Sequence, residues 1–181
     1  GKEKAHKAMS ELLEKILSKE NMNTAYKRVC ANNGAGGVDG MTVEELGDYI
    51  KKNWDSIRNQ IRSRKYKPQP VRRLEIPKPN GGVRKLGIPT VMDRVIQQGI
   101  VQVISPMCEP LFSEWSYGFR PNRSCEMAVR QLLVYLNEGC EWIVDIDLEK
   151  FFDNVPQDIL ALGSTRTVRR RNGSAGPIRS Q

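Results

Sequence analysis

The sequence predicts an α+β fold: a helical N-terminal lobe followed by antiparallel strands with packed helices. Three observations carry that prediction. Apolar residues recur at helical spacing through residues 8–64, the period changes to two over residues 71–88 around Pro79-Asn80-Gly81-Gly82, and helical spacing returns after Thr90. The 181 residues, 39% hydrophobic and 28% charged, suit one domain or two small lobes and argue against disorder throughout.

Met9, Leu12, Leu13, Ile16 and Leu17 line one face of a first helix, and a second is expected over residues 22–31. Four glycines between Asn32 and Gly40 mark a loop. Thr42, with Glu45 three residues on, forms a capping box for a helix to about residue 52, and a further helix is expected over 54–64. Val71, Leu74 and Ile76, then Val83, Leu86 and Ile88, make two strands joined by an Asn-Gly turn. Thr90 caps a helix to about residue 104, which Pro106 and Pro110 are expected to end. Tyr117–Asn122 is a loop, and Ser124 opens a helix that Gly139 closes. Trp142-Ile-Val-Asp-Ile-Asp147 alternates like a strand, residues 149–152 suggest a turn or short helix, and another helix begins at Gln157. From residue 161 the apolar periodicity vanishes, which predicts a tail that is disordered or foreign to the domain.

Composition narrows the chemistry. The single histidine, His6, lies near the N-terminus, so neither a Ser-His-Asp triad nor a His-ligated metal centre is expected. Cys30, Cys108, Cys125 and Cys140 form no CxxC pair and suit a reduced, cytoplasmic protein. No run approaches the ~20 apolar residues that cross a bilayer, and no apolar stretch follows Gly1, so neither a membrane span nor a secretory signal is expected.

The net charge of +8 is unevenly spread. Residues 1–57 are neutral, 58–94 hold eleven basic and two acidic residues, 95–160 hold four basic and ten acidic, and 161–181 hold five arginines and no acid. A basic block on strands and a tight turn, followed by an acidic one, suits a polyanion held by one wall beside waiting carboxylates. Asp145 and Asp147 stand two apart, hence on one face of a strand. Such a pair at a strand end suits a hard cation such as Mg²⁺, as phosphoryl transfer uses.

Four stretches, in order, are similar to the reverse transcriptases encoded by group II introns: Gly37-Val-Asp-Gly-Met-Thr42, Ile76 to Arg94, Tyr117-Gly-Phe-Arg-Pro-Asn-Arg-Ser124, and Trp142 to Asp153. The likeness covers roughly residues 8–160. It implies a right-hand polymerase divided into an N-terminal helical extension with a pre-fingers loop (1–68), fingers (69–138) and the start of a palm (139–160), before the tail at 161–181. It also implies a bacterial, cytoplasmic RNA-directed DNA polymerase that serves as a splicing maturase.

By that resemblance Asp147 is the first metal-binding aspartate, with the carbonyl of Leu148 as a further Mg²⁺ ligand. Phe152 crowds the nucleotide 2′ position and selects deoxynucleotides, while Lys78 and Arg84 grip the incoming dNTP triphosphate. Asp145 matches no catalytic position and ranks as a supporting acid. The implied partners are group II intron RNA, an RNA template with its DNA primer, and dNTPs. Candidate RNA contacts are Arg58, Arg62, Arg64, Lys65, Lys67, Arg72 and Arg73, because 58, 62 and 65 share a helical face and 72 and 73 begin a strand. The family's second palm motif contains Asp-Asp, and no Asp-Asp occurs in these 181 residues. The chain by itself is therefore expected to lack polymerase activity, and an incomplete palm would expose apolar surface suited to a homodimer. Two alternatives remain: a retron or diversity-generating reverse transcriptase, and an RNA-binding module without catalysis.

Overall fold

A computed structural model describes residues 2–79, 81–148 and 151–156. Asn80, the helix expected from Gln157 and the tail at 161–181 lie outside the described residues. The chain divides into two compact units, Gly1–Ser105 and Pro106–Gln181.

The first unit opens with α1 (Lys2–Ile16) and α2 (Lys19–Ala31). The Ser18 hydroxyl between them accepts the Asn21 N–H at 3.3 Å, so the break is a capped helix start. α3 (Val43–Arg62) begins at the predicted capping box, where the Thr42 N–H donates to the Glu45 carboxylate at 2.9 Å. The break expected near residue 53 is absent, and α3 runs unbroken for 20 residues. The Asn53 amide donates to the Tyr49 carbonyl at 2.9 Å one turn back, so this polar residue stays within the helix. Ile50, Trp54, Ile57 and Ile61 continue the apolar stripe across the position.

β1 (Arg72–Pro77) and β2 (Val83–Ile88) pair antiparallel, with Leu74 opposite Leu86 and Ile76 opposite Arg84. At the turn the Lys78 N–H donates to the Gly82 carbonyl at 3.0 Å, and Gly81 and Gly82 take φ of 83° and 85°. Those angles favour residues without a Cβ. α4 (Val91–Cys108) passes through Pro106 instead of stopping near residue 104. One proline costs the helix a single ladder bond, to the Gln102 carbonyl, and the two compact units part at that position.

The core of the first unit joins Met22, Ala25 and Val29 of α2, Val43, Leu46 and Ile57 of α3, and Val91, Met92, Val95 and Ile96 of α4. Leu46 and Val91 are fully enclosed, each worth ~2 kcal/mol of apolar burial. Polar ties reinforce it: the Asn21 amide donates to the carbonyls of Ile16 and Gly99 at 2.8 and 2.9 Å, and accepts from Gln102 at 2.8 Å.

In the second unit a 3-10 turn (Glu109–Leu111) leads to the Tyr117–Asn122 loop, α5 (Cys125–Asn137) and the short α6 (Phe151–Asn154). Arg120 organises the loop. It donates to Glu109 at 2.7 Å and to the carbonyls of Ser113 and Ser116 at 2.6 and 2.9 Å, while its guanidinium lies over Phe112. The strand predicted over Trp142–Asp147 does not form, and its side chains are exposed. A strand exists only by pairing. Among the described residues β1 and β2 pair only with each other, and Trp142–Asp147 pairs with neither. Among the described residues no helix is long and apolar enough to cross a membrane.

Candidate nucleic-acid interface

The basic block of residues 58–94 is built around one buried acid. Asp93, 2% exposed in the first turn of α4, exchanges hydrogen bonds with Thr90: its N–H donates to the threonine hydroxyl at 3.1 Å, and that hydroxyl donates to its carboxylate at 2.7 Å. The same carboxylate accepts the Tyr66 hydroxyl at 2.6 Å and the Gln69 N–H at 3.0 Å. The segment between α3 and β1 is thereby tied to α4. Burial, reinforced by Asp93, pushes the Tyr66 phenol well above its ordinary range.

With Tyr66 turned inward, its neighbours Lys65 and Lys67 stay exposed. Arg64 precedes them with φ of 58°, at the end of α3. There the Lys65 N–H donates to the Gln60 carbonyl at 2.8 Å and the Arg64 N–H to the Ile61 carbonyl at 3.0 Å, the bond pattern of a Schellman cap. Arg72 and Arg73 follow on β1, both exposed, with side chains on opposite faces of the hairpin.

Two of the predicted RNA contacts face a partner inside the protein. Arg62 donates through Nε to the Glu14 carboxylate at 2.8 Å, and Arg58 lies 4.0 Å from the same group. The Arg62 hydrogen bond holds the Glu14 carboxyl below its usual range. The positive wall is therefore strongest at Arg64, Lys65 and Lys67 and along the hairpin. Arg84 and Arg72 share one hairpin face with Leu74, Ile76 and Leu86. Lys78 stands at the turn, and among the described residues neither Lys78 nor Arg84 joins a salt bridge.

The glycine loop docks on the same end of α4. Arg94 donates to the carbonyls of Gly34 and Ala35 at 3.2 and 2.8 Å. A Cβ at Gly37 would stand 2.6 Å from the Thr90 Cα, so this contact requires glycine. Thr90, Asp93 and Arg94 thus hold two predicted motifs, the loop and the root of the hairpin.

In the sequence Asp93 counts only as one of the two acids of the basic block, although Thr90-Val-Met-Asp93 has the spacing of a capping box. Its partners Tyr66 and Gln69 carried no local signal, nor did the carbonyls that Arg94 and Arg120 hold.

Asp145, Asp147 and Leu148 belong to the second unit, in the exposed segment that forms no strand. Phe152 lies in α6, and its side chain is outside the described set. Asp145, Asp147 and the Leu148 carbonyl are oxygen donors of the kind Mg²⁺ takes, an ion commonly held by one or two carboxylates with water and substrate phosphates completing its octahedron. Among the described residues no three Asp, Glu, His or Cys side chains gather as a cation site.

Comparison with known proteins bears on the whole arrangement. The family described as reverse transcriptase (RNA-dependent DNA polymerase) matches residues 76–168, from the hairpin onward. Protein YkfC of Escherichia coli (strain K12) is 35% identical over 170 residues, 91% of this chain and 44% of the relative. Group II intron-encoded protein LtrA of Lactococcus lactis subsp. cremoris is 31% identical over 154 residues, 84% of this chain and 25% of the relative. Nuclear intron maturase 1, mitochondrial, of Arabidopsis thaliana is 28% identical over 83 residues, 46% of this chain and 12% of the relative. The chain spans less than half the length of these curated relatives. With a basic hairpin and its anchors inside or beside the matched region, the chain belongs to the reverse transcriptase (RNA-dependent DNA polymerase) family, among relatives that include group II intron-encoded proteins.

Proposed function

We propose that this chain forms the fingers and the first palm segment of a right-hand RNA-directed DNA polymerase that also acts as a splicing maturase on group II intron RNA in the bacterial cytoplasm. Residues 1–68 are the helical extension, 69–138 the fingers and 139–160 the start of the palm. The observation that carries this reading is the anchored basic hairpin. Its strands hold Arg72, Arg73 and Arg84, its turn presents Lys78, and its root is tied through Tyr66 and Gln69 to Asp93.

The chemistry follows from those positions. Arg84 offers a planar fork and Lys78 a point charge to a dNTP triphosphate. Arg64, Lys65, Lys67, Arg72 and Arg73 follow the phosphates of intron RNA or of a template–primer duplex, with Arg58 and Arg62 joining when Glu14 releases them. Asp147 is a Mg²⁺ ligand of the complete polymerase, with Asp145 in support, and Phe152 is the residue that selects deoxynucleotides. The exposed apolar segment Trp142–Leu148 is a surface on which a second copy would pair.

A second reading is an RNA-binding module without catalysis. It rests on the exposed basic wall at Arg64, Lys65 and Lys67, which can meet phosphates without any metal. Titration of group II intron RNA against the purified chain at several salt concentrations tests what the two readings share. Affinity should fall with salt, and Arg64→Ala, Lys65→Ala and Lys67→Ala together should weaken binding and reduce the slope of log K against log salt by up to about three. Unchanged affinity and slope would remove this surface from the interface. Primer extension on an RNA template separates the readings. The chain by itself should give no product, and extension abolished by Asp147→Ala would establish it as a working polymerase.

A further inference from the structure

We propose that the cavity between α2 and α3 receives a single unpaired nucleobase of the bound RNA, with the adjoining phosphate on the cations at its rim. The proposal rests on the RNA-binding reading above and adds a specific site to it. The cavity has a volume of about 540 Å³, within the ~300–1,000 Å³ range of small-molecule sites. Its apolar walls include Met22, Ile50 and Val95, and Tyr26 and Trp54 supply aromatic rings.

Three further observations favour a nucleotide over a purely apolar occupant. Lys19, Lys51 and Arg58 line the cavity, which gives an apolar space a positive rim. The Arg58 side chain is 37% exposed and the Glu14 carboxylate stands 4.0 Å from it, beyond hydrogen-bond distance, so its guanidinium can turn to a phosphate oxygen at the rim. Gly47 lines the cavity within α3, where glycine weakens a helix, and a Cβ there would approach the Tyr26 hydroxyl to 3.0 Å. Glycine therefore leaves the tyrosine its room. Unpaired RNA bases bind by stacking on aromatic side chains with hydrogen bonds at their edges, and this cavity offers both.

The acids nearby are compatible with this occupant. Asp48 pairs with Lys51 at 3.1 Å, and Glu14 lies 4.0 Å from Arg58. The Lys51 pair is about 80% exposed and the Arg58 pair about 40%; exposed pairs are weak, so a phosphate can compete with them.

The test uses the full chain and two stem-loop RNAs that differ only at one bulged nucleotide, adenosine in one and an abasic site in the other. Stacking on aromatic residues predicts that the abasic RNA binds about tenfold more weakly. Trp54→Ala should erase that difference and Trp54→Phe should keep most of it. Because Trp54 also packs against the core, a second readout leaves it in place. With Trp115→Phe and Trp142→Phe, the remaining tryptophan fluorescence should be quenched by the bulged RNA and not by its abasic twin. Equal affinities for the two RNAs, or equal quenching by both, would overturn the pocket while leaving the RNA-binding reading intact. Failure of both RNAs to bind would overturn both.

Discussion

The Tyr66 hydroxyl donates a 2.6 Å hydrogen bond to the Asp93 carboxylate, which is buried in the first turn of α4. The two residues are 27 positions apart, with the whole hairpin lying between them in the chain. An acid that caps a helix thereby also closes the loop on which the hairpin stands, and that closure fixes where the basic linker runs.

Removing the acid should therefore cost more than a cap. Asp93→Ala leaves the Tyr66 hydroxyl and the Gln69 N–H without their acceptor and removes the reciprocal bond from Thr90. We expect a loss of about 3 kcal/mol, read as a lower urea midpoint. Asp93→Asn, with one acceptor oxygen in place of two, should fall between wild type and alanine. A midpoint for Asp93→Ala within error of wild type would show that the linker does not depend on this acid.

Tyr66 adds an alkaline limit. Burial first, and then the bond to Asp93, raises its pKa in the folded state above the ordinary value of 10.0. The folded state thus favours the neutral phenol. Its contribution is complete below pH 10 and is lost as pH rises from there toward the folded-state value. Chemical denaturation between pH 9 and 11, on the order of the phenol's ordinary titration range, should show stability declining in wild type and declining less in Tyr66→Phe. Parallel profiles would show that the phenol is not the group responsible.

The legible and illegible parts of this protein divide along the range of the interactions. The helices, the hairpin and the Thr42 cap could be read because periodicity, turn residues and cap spacing are local, and the four motif stretches lie within short windows. The continuity of α3 through Asn53 was missed because a single polar residue resembles a boundary, whereas packing of Trp54 and Ile57 decided the outcome. The Trp142–Asp147 strand failed for the converse reason: alternation describes a residue's readiness to pair, and pairing needs a neighbour. At the candidate interface, residue types were readable, but which cations are already engaged was not. Glu14 reaches Arg62 across 48 positions, and no local pattern announces that.

On the RNA-binding reading proposed above, Glu14 is a restraint on binding. It neutralises Arg62 and stands beside Arg58 on the predicted RNA-facing side of α3. Glu14→Gln should free both arginines and raise affinity for intron RNA about three-fold at low salt, with a salt dependence steeper by about one phosphate contact. The same change in Arg62→Ala protein should do much less, since the principal partner is gone. An affinity unmoved by Glu14→Gln would mean that these arginines never reach the RNA.

Arg64 offers the sharpest separation of stability from function. The helices α3 and α5 end in the same cap. At α5 the Cys140 N–H donates to the Tyr135 carbonyl at 3.0 Å and the Gly139 N–H to the Leu136 carbonyl at 3.1 Å, with Gly139 at φ of 94°. At α3 the equivalent left-handed position is occupied by Arg64, at φ of 58°. A side chain there costs about 1 kcal/mol that glycine avoids. On cap geometry, then, Arg64→Gly should stabilise the protein by roughly that amount, whereas its effect on RNA should be the reverse, because the wall loses a cation beside Lys65 and Lys67. The expected result is a higher denaturation midpoint together with weaker RNA binding and a salt slope lower by about one. Arg64→Ala, which keeps the unfavourable backbone and loses the charge, should weaken RNA binding equally without the gain in stability. If Arg64→Gly binds RNA as tightly as wild type, the strained arginine is not held in place for phosphate.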